Sequence, residues 1–404
     1  MPEVQVLVNE IVSKLQKRKI EGANVTARLT AELLRTVISQ QKVPPTNQAA
    51  ALIEVIRDIG EQLIAANPSE LAVGNIVRRI LFIIREVELS FVTNTVEGLK
   101  LSSEDDDIDN CQVVSAGAAI SVRGHLHAPS LHALLDRTTD TATTCHPSAL
   151  RDGYTGQAEK NARSSKLKRD VIEAVNELIE DINTCHEQIA DHAVELIHQN
   201  EVILTLGHSR TVMEFLCAAK EKKRSFRVYV AEGAPMYQGQ LLAKELVARG
   251  LQSTVITDSA VFAMISRVNM VIVGVHAVMA NGGIIAPVGS NMVALAAKKH
   301  GVPYVVVVGT HKLCPLYPNN PEVLLNNMRS PSELLSFEEF SDFMDYRVGN
   351  GAPLLHVVNP LFDYVPPELV NLFITDLGGY SSSYIYNLIN DYYSAEDLIM
   401  QQKY

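Results

Sequence analysis

Between Glu201 and His311, short apolar runs rich in β-branched residues alternate with amphipathic helical patterns. The apolar runs cover residues 202–206, 226–230, 254–257, 270–273 and 304–308, and the helical patterns cover residues 211–220, 238–249 and 291–300. This alternation is typical of a parallel β-sheet whose two faces are both covered by helices. The sequence therefore predicts an α/β fold with a Rossmann-like parallel-sheet domain over residues 201–404.

Residues 1–92 instead repeat apolar side chains every three or four positions, a spacing that predicts amphipathic helices. The third helix is expected to begin after Thr46 or Asn47, and the fourth after Pro68. We interpret one face of the fourth helix as solvated, with an anion site as the alternative; this face carries Arg78, Arg79, Arg85 and Glu86. An N-terminal α-helical domain is therefore predicted for residues 1–92.

Two further segments join the halves of the chain. Residues 93–165 contain an acidic patch followed by a stretch rich in Thr, Ser and Ala without periodicity, and we interpret them as a variable, flexible insertion. Residues 166–200 carry an apolar seam of nearly heptad spacing, which predicts a long connecting helix. The seam is expected to pack on the N-terminal helices, and pairing with another chain is the alternative.

Composition excludes several classes of protein. A net charge of −11 argues against nucleic acid as a direct partner, because phosphate binding needs a basic face. The five cysteines lack CxxC or zinc-ligand spacing, so reduced thiols and no metal are expected. Without a P-loop or a GxGxxG motif after a strand, no nucleotide cofactor is predicted. Without an apolar run of membrane length, we expect a cytoplasmic protein and no membrane contact.

A candidate pocket is predicted where polar residues follow the strands, because parallel α/β sheets bind ligands at the carboxyl ends of their strands. Its candidate residues are Gly207, His208, Ser209, Arg210, Glu232, Asp258, His276, Asn281 and Gly282. A helix N-terminus beside Arg210 suits a phosphate, and a simple turn in which Arg210 pairs with a carboxylate is an equal alternative. That helix is expected to be capped by Thr211 with Glu214.

No catalytic residue can be assigned from these patterns. No Ser or Cys is accompanied by an evident base, and Cys217 falls on the apolar stripe of a helix. His208 and His276 could act as an acid or base, but a lone histidine is more often structural.

The C-terminal segment is aromatic and apolar. It predicts a helix begun at Pro366-Pro367, a strand at residues 372–375, a turn at Gly378-Gly379 and a terminal helix. Tyrosine-rich surfaces are common at interfaces, so this segment is expected to face a partner, with packing on its own domain as the alternative. The candidate interface residues are Asp363, Tyr364, Pro366 and Asp376.

Several motifs together resemble the initiation factor 2B alpha/beta/delta family. They are LGHSRTV, VYVAEGAP, IVGVHAVMANGGIIAPVGSNMVALAAKKHGVPYVVV, VGNIVRRILFIIRE and NPLFDYVPPELVNLFITDLGG. The resemblance covers nearly the whole chain except residues 93–165, and its details are similar to one regulatory subunit in particular. The family also contains isomerases that act on methylthioribose 1-phosphate and ribose 1,5-bisphosphate.

The chain departs from those isomerases at each catalytic position that the resemblance implies. Gly207 stands where they carry a cysteine after the first strand, and His276 where they carry an aspartate. Ala286-Pro287 replaces their Asn-Lys pair. Losing a nucleophile, a carboxylate and an amine leaves no plausible isomerase mechanism, so the pocket is expected to be vestigial.

The resemblance implies a non-catalytic regulatory subunit of the guanine-nucleotide exchange factor for translation initiation factor 2. Such a subunit would pair directly with the paralogous delta subunit and assemble with alpha, gamma and epsilon subunits. It would help bind factor 2 and sense phosphorylation of its alpha subunit. The alternatives are a sugar-phosphate isomerase that uses His276 and Asp258, or a scaffold whose pocket binds a regulatory ligand.

Overall fold

A computed structural model describes residues 2–20, 22–41, 47–100, 155–318, 328–336, 338 and 356–398, with the side chains of residues 91–100 and 155–165 excepted. The helices are α1 (Pro2–Gln16), α2 (Ala23–Gln40), α3 (Gln48–Ala66), α4 (Leu71–Lys100), α5 (Thr155–Asp191), α6 (Ala193–Leu196), α7 (Arg210–Glu221), α8 (Gln238–Ala248), α9 (Val261–Met264), α10 (Ser290–His300) and α11 (Ile385–Tyr392). The strands are β1 (Glu201–Leu206), β2 (Phe226–Ala231), β3 (Gln252–Ile256), β4 (Met270–Gly274), β5 (Ala277–Val278), β6 (Ile284–Pro287), β7 (Tyr304–Val307), β8 (Phe362–Val365), β9 (Leu372–Thr375) and β10 (Gly378–Tyr380).

The N-terminal half is helical, as its apolar spacing predicts. Helices α1 to α4 bury their apolar faces in one cluster, in which Leu34, Leu52, Ile56 and Leu63 are fully buried. Helix α4 continues to Lys100 and α5 already begins at Thr155, so helix occupies both ends of the segment predicted to be an insertion. Residues 101–154 lie outside the described residues.

Helix α5 connects the two halves of the chain, as the heptad-like seam predicts. Its first half contributes Val171 and Val175 to the core of the helical domain. Ile189 near its end, followed by Ile197, belongs to the core on one face of the sheet. The seam therefore packs within the chain.

The main sheet has the strand order β10-β9-β7-β4-β1-β2-β3 and is parallel except for β10, which is antiparallel to β9. The strand order reverses between β1 and β4, which is the position where α/β sheets bind ligands. Strands β5, β6 and β8 form a second, small antiparallel sheet beside it.

Alternating residues of each strand pack into different cores. On β1, Leu204 faces the cluster shared with α9, α10 and α11, whereas Ile203 faces the cluster shared with α5, α7 and α8. Successive side chains of a strand point to opposite faces of the sheet, so a sheet that helices cover on both faces needs apolar side chains on both. This requirement explains the uninterrupted apolar runs in the sequence.

The structure corrects two details of the C-terminal segment. Pro366-Pro367 does not begin an α-helix but leads into the single 3₁₀ turn Pro367–Leu369. Gly378-Gly379 is part of strand β10, and the turn is formed by Asp376 and Leu377 before it. The predicted strand at residues 372–375 and the terminal helix are both present.

The arginine-rich face of α4 is not solvated, so that interpretation is wrong. Arg78 is only 1% exposed, and its Nε donates to the backbone oxygen of Asp397 at 3.3 Å. The Arg79 guanidinium lies 3.9 Å from the ring centroid of Tyr392. The periodicity of α4 shows which side chains share a face, but it does not show that the C-terminal segment covers that face.

Candidate functional site

Two glycines and an aspartate form the centre of the predicted pocket edge. Gly207 follows β1 with φ of +71°, and Gly233 follows β2 with φ of +70°, a region in which residues with a side chain are strained. The Asp258 carboxylate accepts hydrogen bonds from the backbone N–H groups of Gly233 at 3.0 Å and Ala234 at 2.8 Å. Its charge therefore fixes the loop after β2 and is engaged by backbone donors.

A proline lies against the place of the isomerase cysteine. A Cβ added at Gly207 would lie 3.6 Å from Cγ of Pro287, the residue that replaces the lysine of the Asn-Lys pair. Gly207 and Pro287, two of the residues that differ from the isomerases, are therefore neighbours, and the proline ring lies next to the turn at Gly207. Glu232 lies nearby on β2's carboxyl end, where its Oε2 accepts from Nε2 of Gln240 at 3.4 Å.

The residues after Gly207 point in different directions. His208 Nε2 pairs with Glu245 Oε2 at 3.1 Å. Ser209 caps α7 by accepting from the Val212 N–H at 3.4 Å, so the cap is Ser209 and not the predicted Thr211. Arg210 lines a cavity of about 340 Å³ between α5 and α7, together with Glu214.

The remaining predicted pocket residues contact other parts of the fold. His276 Nε2 lies 3.2 Å from the backbone oxygen of Ser69, and its ring stacks on Phe362 with centroids 4.4 Å apart. His276 therefore faces the helical domain and not a substrate. Asn281 donates from Nδ2 to the Tyr364 hydroxyl at 2.7 Å, and a Cβ at neighbouring Gly282 would meet the backbone oxygen of Ser382. The structure brings Gly207, Glu232 and Asp258 to one sheet edge, places Arg210 at a separate cavity, and gives His276 and Asn281 partners elsewhere.

An internal carboxylate occupies the helix N-terminus beside this edge. Asp363 Oδ2 accepts from the N–H groups of Gly289 at 2.7 Å and Asn291 at 3.2 Å, at the start of α10. A helix N-terminus of this kind attracts phosphate, and here the chain's own carboxylate satisfies it. Sequence reasoning missed this role because Asp363 lies more than seventy residues after Gly289 along the chain.

Two predicted interface residues have intramolecular roles. Asp363 caps α10, and Asp376 accepts from the Thr310 N–H and hydroxyl, each at 2.8 Å. Burial raises the pKa of Asp376, although the hydrogen bonds from Thr310 act in the opposite direction. Tyr364 bonds to Asn281, and Pro366 precedes the 3₁₀ turn. These contacts favour packing on the chain's own domain, and a partner contact at these residues stays a prediction.

Replacing Asp363 with alanine is expected to lower the free energy of unfolding by about 1 kcal/mol, because α10 loses its capping acceptor. Urea denaturation would measure the change. Asp391→Ala on the exposed side of α11 removes a carboxylate without a capping role and should be nearly neutral. Equal effects of the two substitutions would contradict the capping role.

The geometry defines a non-catalytic member of a family that includes sugar-phosphate isomerases. The positions assigned to catalysis hold a glycine in a tight turn, a proline ring and a histidine that faces the helical domain. The model of the Initiation factor 2 subunit family matches residues 19–382, and the chain belongs to this family.

The relatives agree with the sequence prediction of a regulatory subunit. The chain is 41% identical over 390 residues to "Translation initiation factor eIF2B subunit beta" of Dictyostelium discoideum, which covers 95% of this chain and 94% of the relative. It is 36% identical over 406 residues to the subunit of the same name in Schizosaccharomyces pombe, with 97% of both chains covered. The ribose 1,5-bisphosphate isomerase of Pyrococcus furiosus is 30% identical over 253 residues, which are 61% of this chain and 74% of the enzyme.

Solved structures confirm the predicted fold. The crystal structure of eIF2B beta from Chaetomium thermophilum has a TM-score of 0.68 at 23% identity, covering 98% of this chain and 94% of that chain. The tetrameric complex of two eIF2B beta and two delta subunits from the same organism gives a TM-score of 0.63 at 23% identity, covering 96% and 95%. Within the described residues, no helix is long and apolar enough to cross a membrane.

Proposed function

We propose that the chain is a non-catalytic regulatory subunit of the cytoplasmic guanine-nucleotide exchange factor complex for translation initiation factor 2. It pairs with the delta paralogue, assembles with alpha, gamma and epsilon subunits, and helps bind factor 2 and sense phosphorylation of its alpha subunit. The observation that carries this proposal is the 41% identity to a beta subunit over 95% of the chain. The replacement of the isomerase catalytic residues also supports the proposal, as do the positions of Pro287 against Gly207 and of Asp363 at the N-terminus of α10.

An exposed apolar surface at one end of the sheet supports direct pairing. Strand β3 is the edge strand at this end, and among the described residues no strand pairs with its outer side, which can therefore meet another chain. Large apolar side chains are exposed on β3, on α8, which packs beside it, and on α9, which follows it in the chain. We call this the edge surface: Leu241, Val247, Val255 and Phe262. Exposed apolar patches of this kind mark protein interfaces. The paralogue is the proposed occupant because a related beta subunit forms a tetramer with delta subunits.

The sequence carried an overlooked signal for this surface. Leu241 and Val247 extend the apolar positions of α8 beyond the stripe that faces the sheet core, which includes Leu242 and Leu246. A helix whose apolar residues spread beyond one face has more than one side to bury. This signal supports a second contact for α8 but does not identify its partner.

Native mass spectrometry on the tagged chain, purified from its own cells, tests this function. We expect a heteromeric complex that contains the delta paralogue and the exchange subunits. Val255→Lys should weaken pairing with delta at least tenfold, because it places a charge in the centre of an apolar contact. Val255 is 46% exposed, so the isolated chain should still fold.

Val6→Lys is the matched control, since Val6 is 65% exposed on α1 and lies outside the edge surface. It should leave the complex intact. A homodimer without companions for the unsubstituted chain would contradict the proposed function. Normal pairing by Val255→Lys would instead contradict only the location of the interface.

A sugar-phosphate isomerase is the second candidate, favoured by the 30% identity to the Pyrococcus furiosus enzyme. A ligand-sensing scaffold would use the same pocket without turnover. Incubating the purified complex with ribose 1,5-bisphosphate distinguishes these two hypotheses. Product formation supports the enzyme, and thermal stabilisation without product supports the scaffold. We expect neither, because Pro287 lies against Gly207 and Asp363 occupies the N-terminus of α10.

A further inference from the structure

The C-terminal helix α11 is anchored in the sheet domain. Ile385, Leu388 and Ile389 are buried in the core on the α10 side of the sheet. Tyr393, just after the helix, is also buried, and its hydroxyl donates to the backbone oxygen of Leu313 at 2.7 Å. The segment therefore moves with the sheet domain.

Beyond the helix, the chain crosses to the helical domain, where Glu396 and Asp397 join an ion cluster. Asp397 has no exposed side-chain surface; Arg57 of α3 pairs with it at 3.2 Å and Arg85 of α4 at 2.9 Å. Arg85 also pairs with Glu396, and Arg78 donates to the Asp397 backbone oxygen. Removing one partner of a buried ion pair is strongly destabilising, because the other charge is left without compensation.

A second contact reinforces this crossing. Arg79 donates from Nη1 to the backbone oxygen of Tyr392 at 3.1 Å, while its guanidinium lies 3.9 Å from the ring centroid of the same residue. Cation–π contacts gain strength when they are withdrawn from water. Four arginines of the helical domain thus hold one short C-terminal segment.

Outside this segment, the domains share a small apolar cluster of Leu71 with Ala277, Met279, Ile285 and Cys314, and polar contacts that are incompletely paired. Asn75 donates to the backbone oxygen of His311 at 3.3 Å, and His276 lies beside Ser69. Three buried side-chain atoms in these polar contacts have no hydrogen-bond partner in the described part of the protein: Glu70 Oε1, Asn75 Oδ1 and His311 Nε2. Buried polar groups without partners oppose the packing that encloses them. The polar part of this contact therefore contributes little to holding the domains together.

We propose that the segment from Tyr392 to Asp397 is a clamp that sets the orientation of the helical domain on the sheet domain. Asp397 closes the clamp by pairing with Arg57 and Arg85, while α11 fixes the other end in the sheet core. Opening the clamp leaves each domain folded around its own core and frees the polar contact between α4 and residues 309–314. This inference does not depend on the proposed function.

Hydrogen exchange on the full chain, purified with whichever subunits accompany it, tests the clamp. Asp397→Ala should accelerate amide exchange about tenfold or more in three places: the clamp, α4 between Leu71 and Arg85, and residues 309–314. The central strands β1 and β4 should keep their protection. Arg57→Gln removes one of the ion pairs of Asp397 from the side of the helical domain. It should give a weaker form of the same exchange pattern, and it takes the place of Asp397→Ala in the test if that variant does not fold.

Asp391→Ala is the matched control, since Asp391 is an exposed carboxylate on α11 that lies outside the segment from Tyr392 to Asp397. Its exchange should equal that of the unsubstituted chain. If Asp397→Ala accelerates exchange only after residue 385 and leaves α4 and residues 309–314 protected, the segment is passively packed and the clamp does not exist. The same conclusion holds if Asp391→Ala reproduces the full pattern.

Discussion

Substituting alanine for Gly239 is expected to lower the free energy of unfolding by about 3 kcal/mol, the upper end of the cost of overpacking. Gly239 lies at the start of α8, where its N–H donates to the backbone oxygen of Glu232 at 3.0 Å. An added Cβ would overlap the carbonyl oxygen of Ala231 and lie 2.9 Å from its carbonyl carbon. Since these atoms are backbone of a central strand, the helix itself must move.

The displacement would also disturb the sheet edge at which the pocket is predicted. Moving the start of α8 pulls on the loop after β2, which Asp258 holds through the N–H groups of Gly233 and Ala234. We therefore expect faster amide exchange in this loop along with the loss of stability.

Gly379→Ala is the matched control for this substitution. An added Cβ at Gly379 meets its nearest neighbour, Cδ1 of Ile374, at an ordinary contact distance of 3.5 Å. Its effect on the free energy of unfolding should stay within about 0.5 kcal/mol, as for other tolerated surface changes. If urea denaturation gives equal values for both substitutions, the close approach of α8 to β2 does not constrain residue 239.

The elements of the sheet domain were predictable because local pattern and final environment agree. Strand β4 is buried along its whole length, and its residues 270–273 form an apolar run in the sequence. Helix α7 likewise buries one stripe and exposes the other. A buried parallel strand and an amphipathic helix each leave a periodic signature that needs no knowledge of distant residues.

The roles of individual polar residues were less predictable because distant partners decide them. Arg78 has the spacing of a solvated residue on α4, yet it is buried by a segment more than three hundred residues later in the chain. His276 follows β4 as a pocket residue should, but the stacked ring of Phe362 and the backbone of Ser69 engage it. Sequence periodicity specifies the face on which a residue lies and not what covers that face.

The buried His186 makes the junction of the domains sensitive to acid. His186 lies on α5 and is only 7% exposed. Its Nδ1 lies 3.1 Å from the Thr211 hydroxyl of α7, and its Nε2 lies 3.3 Å from Nδ2 of Asn24 on α2. The Asn24 amide is a donor, so Nε2 must accept and the ring is neutral. A second proton on the ring would place an Nε2–H donor of His186 against the amide donor of Asn24.

Burial lowers the pKa of His186 to about 4, and the positive charges of Arg210 and Lys312 add to this effect despite Glu214. Burial also holds the pKa of His311 well below its ordinary value. The unfolded chain therefore binds protons that the folded chain excludes, beginning near the ordinary histidine pKa of 6.5. Stability from this source is complete above that pH and is lost as the pH falls toward 4.

We expect the free energy of unfolding to fall by roughly 2 kcal/mol per buried histidine between about pH 7 and pH 5, a range in which most carboxylates stay ionised. Urea denaturation at a series of pH values measures the slope. His186→Gln removes the titrating group, so its curve should be flatter than that of the unsubstituted chain. His198→Gln, at an exposed position, should retain the full slope. Parallel curves for all three chains would show that His186 binds its proton equally well in the folded and unfolded states.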